Sequence, residues 1–269
     1  MNRIFITGDT HGANDLEKLK VEHFPEQEYL TKDDYLLIAG DFGAVWNGDS
    51  KDDTIYGVNI GVGQYDPHPD LMEQLGTDRD LLDYYENQPY TTLFIDGNHE
   101  NHKLLNSYPV SLWNGGKVHI IRSVDGRPTI IHLLRGQVYQ IGEKTLFTMG
   151  GADSVDKEWR KVDYTWFAEE MPSAEEYEEA RKNLAACNWS VDYIITHTCS
   201  NFQMQKLVNA YAAATVNGMQ SDALMDFFDE LETDIEFRYW FYGHHHKDAI
   251  LDEKHMCIYR SILELTSEE

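Results

Sequence analysis

Five short apolar segments of this chain each end at a carboxylate, an asparagine or a histidine. The segments are Arg3–Thr7, Tyr35–Ala39, Thr91–Ile95, Val191–Thr196 and Phe237–Tyr242. Apolar runs of this length, closed by polar and turn-forming residues, predict buried β-strands. Because parallel strands deliver their terminal side chains to one edge of a sheet, the five endings constrain where the polar residues of the fold can meet.

Stretches with helical features separate several of these strands. They are Asn14–Val21, Asp80–Asn87, Ser173–Cys187, which opens with a serine cap, and Phe202–Leu231. Strands that alternate with helices predict an α/β fold with parallel pairing. The pattern changes between Lys117 and Met149, where short strands and a hairpin turn at residues 142–144 predict a second, more antiparallel sheet.

The 269 residues contain no internal repeat and no convincing linker, so we expect a single domain over residues 1–269. Residues 45–78 are rich in Gly, Asp and Tyr and have little periodicity. Long irregular connections in compact domains are usually functional or mobile, so we expect a long loop or lid there.

The net charge of -25 comes from 47 acidic and 22 basic residues. A protein that grips a nucleic-acid backbone normally presents Lys and Arg to many phosphates. This chain would repel such a polymer at long range, which disfavours a processive nuclease and leaves small phosphorylated substrates open.

Three cysteines, Cys187, Cys199 and Cys257, are widely separated and form no CxxC pair. No apolar run approaches the roughly 20 residues that a membrane-spanning helix needs. The N-terminus leads almost directly into the first strand, without a basic leader or a cleavage pattern. We therefore expect a reducing, cytoplasmic setting and no membrane association.

The polar strand endings carry side chains that bind metals. They are Asp9 and His11, Asp41, Asn98 and His99, His197, and His244 and His246. Carboxylate together with imidazole suits Mn, Fe, Zn and similar ions better than an all-oxygen Ca or Mg site. A spacing of two residues, as in Asp9-Thr10-His11, keeps both side chains on one side of an extended segment.

Five short motifs stand in a fixed order along the chain. They are Gly8-Asp9-Thr10-His11-Gly12, Gly40-Asp41, Gly97-Asn98-His99-Glu100, Thr196-His197 and Gly243-His244-His245-His246. Together they resemble the ordered motifs of the calcineurin-like metallophosphoesterase superfamily. A further segment, residues 150–156 with Arg160, Trp166 and Glu170-Met171-Pro172, resembles a stretch common in its small bacterial and phage members. The resemblance spans residues 8–246 and implies a sandwich of two mixed β-sheets flanked by helices.

This resemblance also implies a ligand set for two divalent ions, with Mn as the first expectation and Fe, Zn or Ni as alternatives. Asp9, His11 and His246 would hold the first ion, Asp41 would bridge, and Asn98, His197 and His244 would hold the second. A bridging carboxylate offsets the repulsion between cations about 3.5–4 Å apart, and the pair acidifies a shared water whose hydroxide attacks phosphorus.

His99 is adjacent to a ligand and resembles the residue that protonates the leaving alkoxide or orients the phosphate. An imidazole suits this role because its unperturbed pKa is about 6.5. The resemblance therefore implies a dinuclear phosphohydrolase that acts on phosphomonoesters or small phosphodiesters, with a nucleotide as one possible substrate.

Protein serine/threonine phosphatases of the superfamily share the Gly-Asn-His-Glu motif, but they follow the second Gly-Asp with Val-Asp-Arg-Gly. Phe42, Gly43 and Ala44 follow Asp41 here, so the carboxylate partner of the histidine and the phosphate-binding arginine are missing from that place. We expect Arg160 to reach the substrate phosphate instead, since a planar guanidinium matches phosphate bidentately. A surface salt bridge is the alternative role of Arg160.

Several other residues have two interpretations. His102 could touch substrate or pack on a helix. For His245 and Cys199 we expect structural roles. Asp153 and Asp156 could orient ligand imidazoles or form turns. Aromatic residues that could stack on a nucleobase, or pack in the core or the lid, are Trp46, Tyr65, Trp113 and Trp166.

Three other functions compete with hydrolysis of a small phosphoester. A repair-type nuclease needs a basic groove, and the acidic composition argues against one. A protein serine/threonine phosphatase is disfavoured by the change after Asp41. A non-catalytic scaffold usually loses ligands or the catalytic histidine, whereas all eight positions are filled here. The sequence leaves the oligomeric state undetermined.

Overall fold

The computed structural model describes residues 2–46, 78–211 and 221–266. Its strands are β1 (Ile4–Thr7), β2 (Tyr35–Ala39), β3 (Thr91–Ile95), β4 (Val110–Trp113), β5 (Gly116–Val124), β6 (Arg127–Leu133), β7 (Gln137–Ile141), β8 (Lys144–Met149), β9 (Tyr193–Thr196), β10 (Tyr239–Tyr242), β11 (Ala249–Ile250), β12 (His255–Cys257) and β13 (Leu263–Glu264). The α-helices are α1 (Asp78–Glu86), α2 (His102–Leu105), α3 (Ala174–Ala186), α4 (Asn201–Tyr211) and α5 (Ala223–Asp234). Short 3-10 helices cover Leu16–Leu19, Pro25–Tyr29, Lys157–Trp159 and Ala168–Glu170.

Within these described ranges the strands form two mixed sheets. The first has the order β13-β1-β2-β3-β6-β5-β4, and the second has the order β11-β12-β10-β9-β8-β7. Strands β1, β2, β3 and β6 run parallel in the first sheet, and β8, β9, β10 and β12 run parallel in the second. The α/β fold with two mixed sheets and flanking helices, expected from the sequence, is confirmed.

The sheets face each other across a shared apolar core. Side chains from the first sheet, such as Ile6, Leu37 and Leu93, pack with Leu146 and Ile195 from the second. The outer face of the first sheet packs with α1, and the outer face of the second packs with α3, α4 and α5. This double layer holds the carboxyl ends of β1, β2, β3, β9 and β10 in a rigid frame.

Strands β2 and β3 have the residue bounds that the sequence predicted, and α3 begins at a capping box. The Ser173 hydroxyl accepts a hydrogen bond from the backbone of Glu176, whose carboxylate accepts one from the backbone N–H of Ser173. The helical region Phe202–Leu231 contains α4 and the beginning of α5, and residues 212–220 between them lie outside the described part of the chain.

Two predictions of secondary structure need correction. The helix expected over Asn14–Val21 is a single 3-10 turn at Leu16–Leu19, because Lys18 points inward to donate hydrogen bonds to backbone carbonyls instead of lying on a solvated helix face. The strands of Lys117–Met149 do not form one sheet. Strands β5 and β6 extend the first sheet through β3, whereas β7 and β8 join the second sheet through β9.

The expected loop or lid at residues 45–78 falls mostly on residues 47–77, which lie outside the described part of the chain, so that prediction stays open. The two flanks are held together, because the backbone N–H of Trp46 donates to Asp78 Oδ2 at 2.6 Å. Among the described residues, no helix is both long and apolar enough to span a bilayer.

Candidate metal centre

The polar residues that follow the parallel strands converge at one edge of the two sheets. Asp9 and His11 follow β1, Asp41 follows β2, Asn98 and His99 follow β3, His197 follows β9, and His244 and His246 follow β10. Among the residues that the structure describes, three groups each bring ligand atoms within 4.8 Å of one another. The groups are Asp9, His11 and His246, then His11, Asp41 and His99, and finally Asp41, His197 and His244.

The first of these groups lies at the end of β1. Nε2 of His246 is 3.1 Å from Asp9 Oδ2, and Nε2 of His11 is 3.1 Å from Asp41 Oδ2. The rings of His11 and His246 meet edge to face, with centroids 4.9 Å apart. One carboxylate and two imidazoles thus surround a small space that suits a divalent transition ion.

The last of these groups, formed by Asp41, His197 and His244, combines residues that follow strands of both sheets. Nε2 of His197 is 3.3 Å from Asp41 Oδ1 and 3.2 Å from the amide oxygen of Asn98. The ring of His244 stands edge to face on His197, with centroids 5.0 Å apart. Asp41 therefore faces both groups, with Oδ2 toward His11 and Oδ1 toward His197.

The backbone conformation at these positions is unusual. His11, Asp41, His244 and His246 have positive φ angles of 44°, 48°, 65° and 50°. Asp and His are among the residues that tolerate this left-handed region best. The chain also approaches itself closely here, because a Cβ on Gly97 would collide with Oδ1 of Asp41. Glycine at position 97 is what lets β3 end beside the carboxylate.

Hydrogen bonds behind the centre fix the orientation of its side chains. Nδ1 of His197 donates to the backbone oxygen of Ala39 at 2.8 Å, and Nδ1 of His11 lies 2.7 Å from Asp15 Oδ2. Both imidazoles therefore direct Nε2 toward the carboxylates. Such outer partners typically set the tautomer and the ring angle of a metal ligand.

The amide of Asn98 is oriented by a chain of two contacts. Its Nδ2 donates to Ser154 Oγ at 3.0 Å, and the Ser154 hydroxyl donates to Glu170 Oε2 at 2.6 Å. The backbone N–H of Ser154 also donates to Glu170 Oε1 at 2.9 Å. Because the amide nitrogen is engaged, the amide oxygen of Asn98 is the atom that faces His197.

The buried carboxylates of the centre favour the binding of cations. Asp9 and Asp41 are 0% and 1% exposed, and their ion pairs within the described ranges are with histidines. Burial lowers the pKa of His11, but its hydrogen bonds to Asp15 and Asp41 raise that pKa to about 10. Burial likewise opposes protonation of His197, yet Asp41 raises its pKa to about 9. The carboxylates thus attract positive charge that divalent ions can supply, and the donor set fits them.

His99 lies at the open side of this centre, next to Arg160. Nη2 of Arg160 is 3.0 Å from Nε2 of His99, and Nε of Arg160 is 2.7 Å from Asp156 Oδ1. The backbone N–H of His99 donates to Asp41 Oδ1 at 2.7 Å. Burial, reinforced by the positive charge of Arg160, lowers the pKa of His99 to about 3.

His102 lies behind the centre at the start of α2. It is 3% exposed, its Nδ1 is 3.9 Å from Asp96 Oδ2, and its ring meets Phe167. The role of His102 in substrate binding stays a prediction. His245 directs Nε2 to the sulfur of Cys199 at 3.5 Å. Burial raises the pKa of the Cys199 thiol well above its usual range, which keeps it protonated.

Three of the aromatic residues considered for base stacking have contacts with other protein side chains. Trp46 is 5% exposed and meets Phe167 edge to face, and Trp166 donates to Glu170 Oε1 at 2.7 Å. Trp113 packs edge to face on Tyr35 in the first sheet. Tyr65 lies outside the described residues. An exposed aromatic that the sequence reasoning did not single out is Trp159, which is 88% exposed beside Arg160.

Sequence reasoning also missed several supporting side chains. Glu100 is fully buried, and its carboxylate accepts from the backbone N–H groups of Phe42 and Gly43 at 2.6 and 3.2 Å. It thereby holds the turn after Asp41. The position of Glu100 next to His99, within the motif Gly97-Asn98-His99-Glu100, could have indicated its supporting role. The spacing of four residues between His11 and Asp15 could have indicated that these two side chains meet.

A comparison with protein-family models gives an independent result. The model described as calcineurin-like phosphoesterase matches residues 2–248 of this chain. A search of curated proteins gives no significant match. The family match covers most of the chain and includes every residue of the centre described above. The chain belongs to the calcineurin-like phosphoesterase family and is a metal-dependent phosphoester hydrolase.

Proposed function

We propose that this protein is a dinuclear phosphoesterase that hydrolyses phosphomonoesters or small phosphodiesters. The observation that carries the proposal is the position of Asp41, which offers one oxygen to each of two ligand groups. A carboxylate shared in this way is what two adjacent cations need to offset their mutual repulsion.

In this proposal, one ion is held by Asp9, His11 and His246, and the other by Asn98, His197 and His244, with Asp41 between them. We propose Mn first, with Fe, Zn or Ni as alternatives, because the donors combine oxygen with imidazole nitrogen. Two such ions, when bound, supply a nucleophile from water at neutral pH and offset charge on the phosphoryl oxygens.

His99 supplies the proton in the proposed reaction. Because the guanidinium of Arg160 can only donate, its contact with Nε2 leaves the proton of a neutral His99 on Nδ1. In the free site the low pKa keeps the ring neutral. A negatively charged phosphate beside the ring raises that pKa, so His99 can take up a proton from solvent when substrate binds and donate it to the leaving oxygen as the P–O bond breaks.

Arg160 is the residue that we propose to bind the phosphoryl oxygens. Its side chain is 4% exposed and its Nε is held by Asp156, so the guanidinium is already oriented. It takes the place of the arginine that protein serine/threonine phosphatases carry after their second Gly-Asp. Because that arginine is here in a different part of the chain, a close relationship to the protein serine/threonine phosphatases is disfavoured.

The net charge of -25 supports a small substrate over a nucleic acid. Nucleotides belong to this class, since each brings a phosphate and few other charges. We also propose a cytoplasmic location, because Cys187, Cys199 and Cys257 are all free thiols.

A colorimetric assay separates the possible ester classes. Metal-free protein is given Mn, Ni, Zn, Fe or Mg and tested on p-nitrophenyl phosphate and bis-p-nitrophenyl phosphate. We expect activity only with added metal, loss of activity on chelation, and a fall of about 100-fold or more in His99→Ala. Activity that survives chelation would exclude the metal mechanism, and cleavage of plasmid or single-stranded DNA would favour the nuclease.

A further inference from the structure

Tyr259 lies beyond residue 248, where the family match ends, yet its side chain reaches the metal centre. Its ring stacks on the imidazole of His246, with centroids 4.7 Å apart and planes inclined by 14°. Its hydroxyl donates to Asp15 Oδ1 at 2.7 Å. The tyrosine itself is buried, with 7% of its surface exposed.

The second oxygen of Asp15 completes a link to the other histidine of the same group. Oδ2 of Asp15 is 2.7 Å from Nδ1 of His11. Tyr259 therefore touches His246 with its ring and is joined to His11 through one carboxylate. The His197 and His244 rings belong to the other group.

Lys18 holds the backbone of Tyr259 against the end of β1. Its ammonium donates to the backbone oxygens of Tyr259 and Asp9, both at 2.6 Å, and to that of Gly8 at 3.0 Å. A Cβ on Gly8 would collide with Ile258 and would lie 2.8 Å from the Cα of Tyr259. The absence of a side chain at position 8 lets the two segments approach this closely.

A third anchor fixes the turn in which Tyr259 lies. The carboxylate of Asp248 accepts from the backbone N–H groups of Tyr259, Arg260 and Ser261 at 2.9, 3.1 and 3.0 Å. The position of the tyrosine is thus determined by several independent contacts. A rigidly held ring and hydroxyl can transmit that order to His246 directly and to His11 through Asp15.

We propose that Tyr259 is a positioning residue that pre-forms the Asp9, His11 and His246 subsite and raises its affinity for a divalent ion. The inference rests on the proposed function, which assigns these three residues as ligands. Outer partners that fix the orientation of a ligand are typically worth about 10–100-fold in metal affinity. We expect the effect at this subsite, because the ring of Tyr259 stacks on His246 and its hydroxyl is joined to His11 through Asp15.

The test measures binding of Mn²⁺ to metal-free protein by calorimetry in two backgrounds. His197→Ala weakens the second subsite and leaves the first to be measured, while His246→Ala does the reverse. Tyr259→Phe keeps the stacking and removes the hydroxyl, and Tyr259→Leu removes both. We expect Tyr259→Phe to weaken binding about 10-fold in the His197→Ala background, with a larger loss for Tyr259→Leu and less than about twofold change for either in the His246→Ala background.

Tyr139→Phe is the matched control, because its hydroxyl donates to Lys117 O and accepts from Leu134 N, and both partners lie away from the centre. Thermal unfolding of the metal-free proteins shows whether each variant is folded. We expect Tyr139→Phe to lower the melting temperature without changing Mn²⁺ affinity. Combining Tyr259→Phe with Asp15→Asn should cost less than the sum of the two single changes, because they interrupt one link.

The possible outcomes separate the two proposals. Equal weakening in both backgrounds, or no weakening in the His197→Ala background, overturns the role of Tyr259. A wild-type protein that binds fewer than two Mn²⁺ ions overturns the dinuclear function itself. Two ions bound by wild type, with full affinity retained in Tyr259→Phe and Tyr259→Leu, leave the function intact and remove only this inference.

Discussion

The guanidinium of Arg160 lies against the imidazole of His99, with Nη2 3.0 Å from Nε2, although the residues are 61 positions apart. Asp156 holds the Nε side of the same guanidinium. A phosphate that reaches His99 therefore meets an arginine that is already desolvated and oriented. Little further ordering is needed for a charge-assisted hydrogen bond to form.

Replacing Arg160 with Ala should lower kcat/KM about 10–100-fold, because a hydrogen bond to a charged group is worth about 1.5–3 kcal/mol. Steady-state kinetics on p-nitrophenyl phosphate measure the change. Arg181→Ala is the control, since Arg181 pairs with Glu178 and Glu230 in exposed positions. A change of less than about threefold in Arg160→Ala would contradict phosphate binding by this residue.

Asp41→Asn tests whether Asp41 is a ligand shared by two ions, because the two side chains have nearly the same shape. Asparagine keeps an oxygen for the backbone N–H of His99 but loses the charge that faces both groups. We expect at least one bound ion to be lost and activity to fall about 100-fold or more. Elemental analysis and kinetics on the same sample measure both, with exposed Asp33→Asn as control. Loss of metal with full activity would contradict the mechanism.

Ser154→Ala removes the acceptor that orients Asn98. The freed amide can rotate and present nitrogen instead of oxygen, so affinity at the second subsite should fall about 10-fold. Mn²⁺ titration of the His246→Ala protein measures this subsite. Ser107→Ala is the matched control, because its exposed hydroxyl donates only to the backbone of Leu104. Unchanged affinity would show that Asn98 needs no such support.

Arg135→Met should destabilise the fold by about 3–5 kcal/mol, because it leaves the buried carboxylate of Asp96 without the permanently charged partner that it has in Arg135. Asp96 is 3% exposed, and Nε of Arg135 donates to it at 2.8 Å. Urea unfolding measures the loss. The exposed pair of Arg127 and Asp33 gives the control, since Arg127→Met should cost less than about 1 kcal/mol.

A second variant completes the test of this ion pair. Adding Asp96→Asn to Arg135→Met removes the uncompensated charge, so part of the lost stability should return. If Arg135→Met alone costs no more than Arg127→Met, the buried pair does not stabilise the native state.

The strands were predictable because they are short buried runs with polar endings. Leu36, Leu37 and Ile38 in β2 are all fully buried, which gives a continuous apolar signal with a sharp end at Gly40. The prediction of a helix over Asn14–Val21 was wrong because Leu16 and Leu19 occur at helical spacing while Lys18 points inward. The spacing of apolar residues alone does not reveal that a lysine side chain donates hydrogen bonds to three backbone carbonyls.

The candidate ligands were predictable for a related reason. Each stands directly after a strand, so topology alone brings them to one edge. Tyr259 and Asp15 could not be paired in the same way, because they are 244 positions apart and neither belongs to a recognised motif. The sequence led us to expect Arg160 near the substrate phosphate. It did not predict the contact of Arg160 with His99, because no local pattern encodes that contact.

The left-handed backbone at His11, Asp41, His244 and His246 has a consequence for engineering. Non-glycine residues held in such conformations cost about 1 kcal/mol or more each, and glycine would relieve that strain. A library of variants selected for thermal stability alone would therefore enrich glycine at these positions. The selected proteins would be more stable but catalytically inactive. Stabilising this enzyme by directed evolution requires selection for product formation in every round.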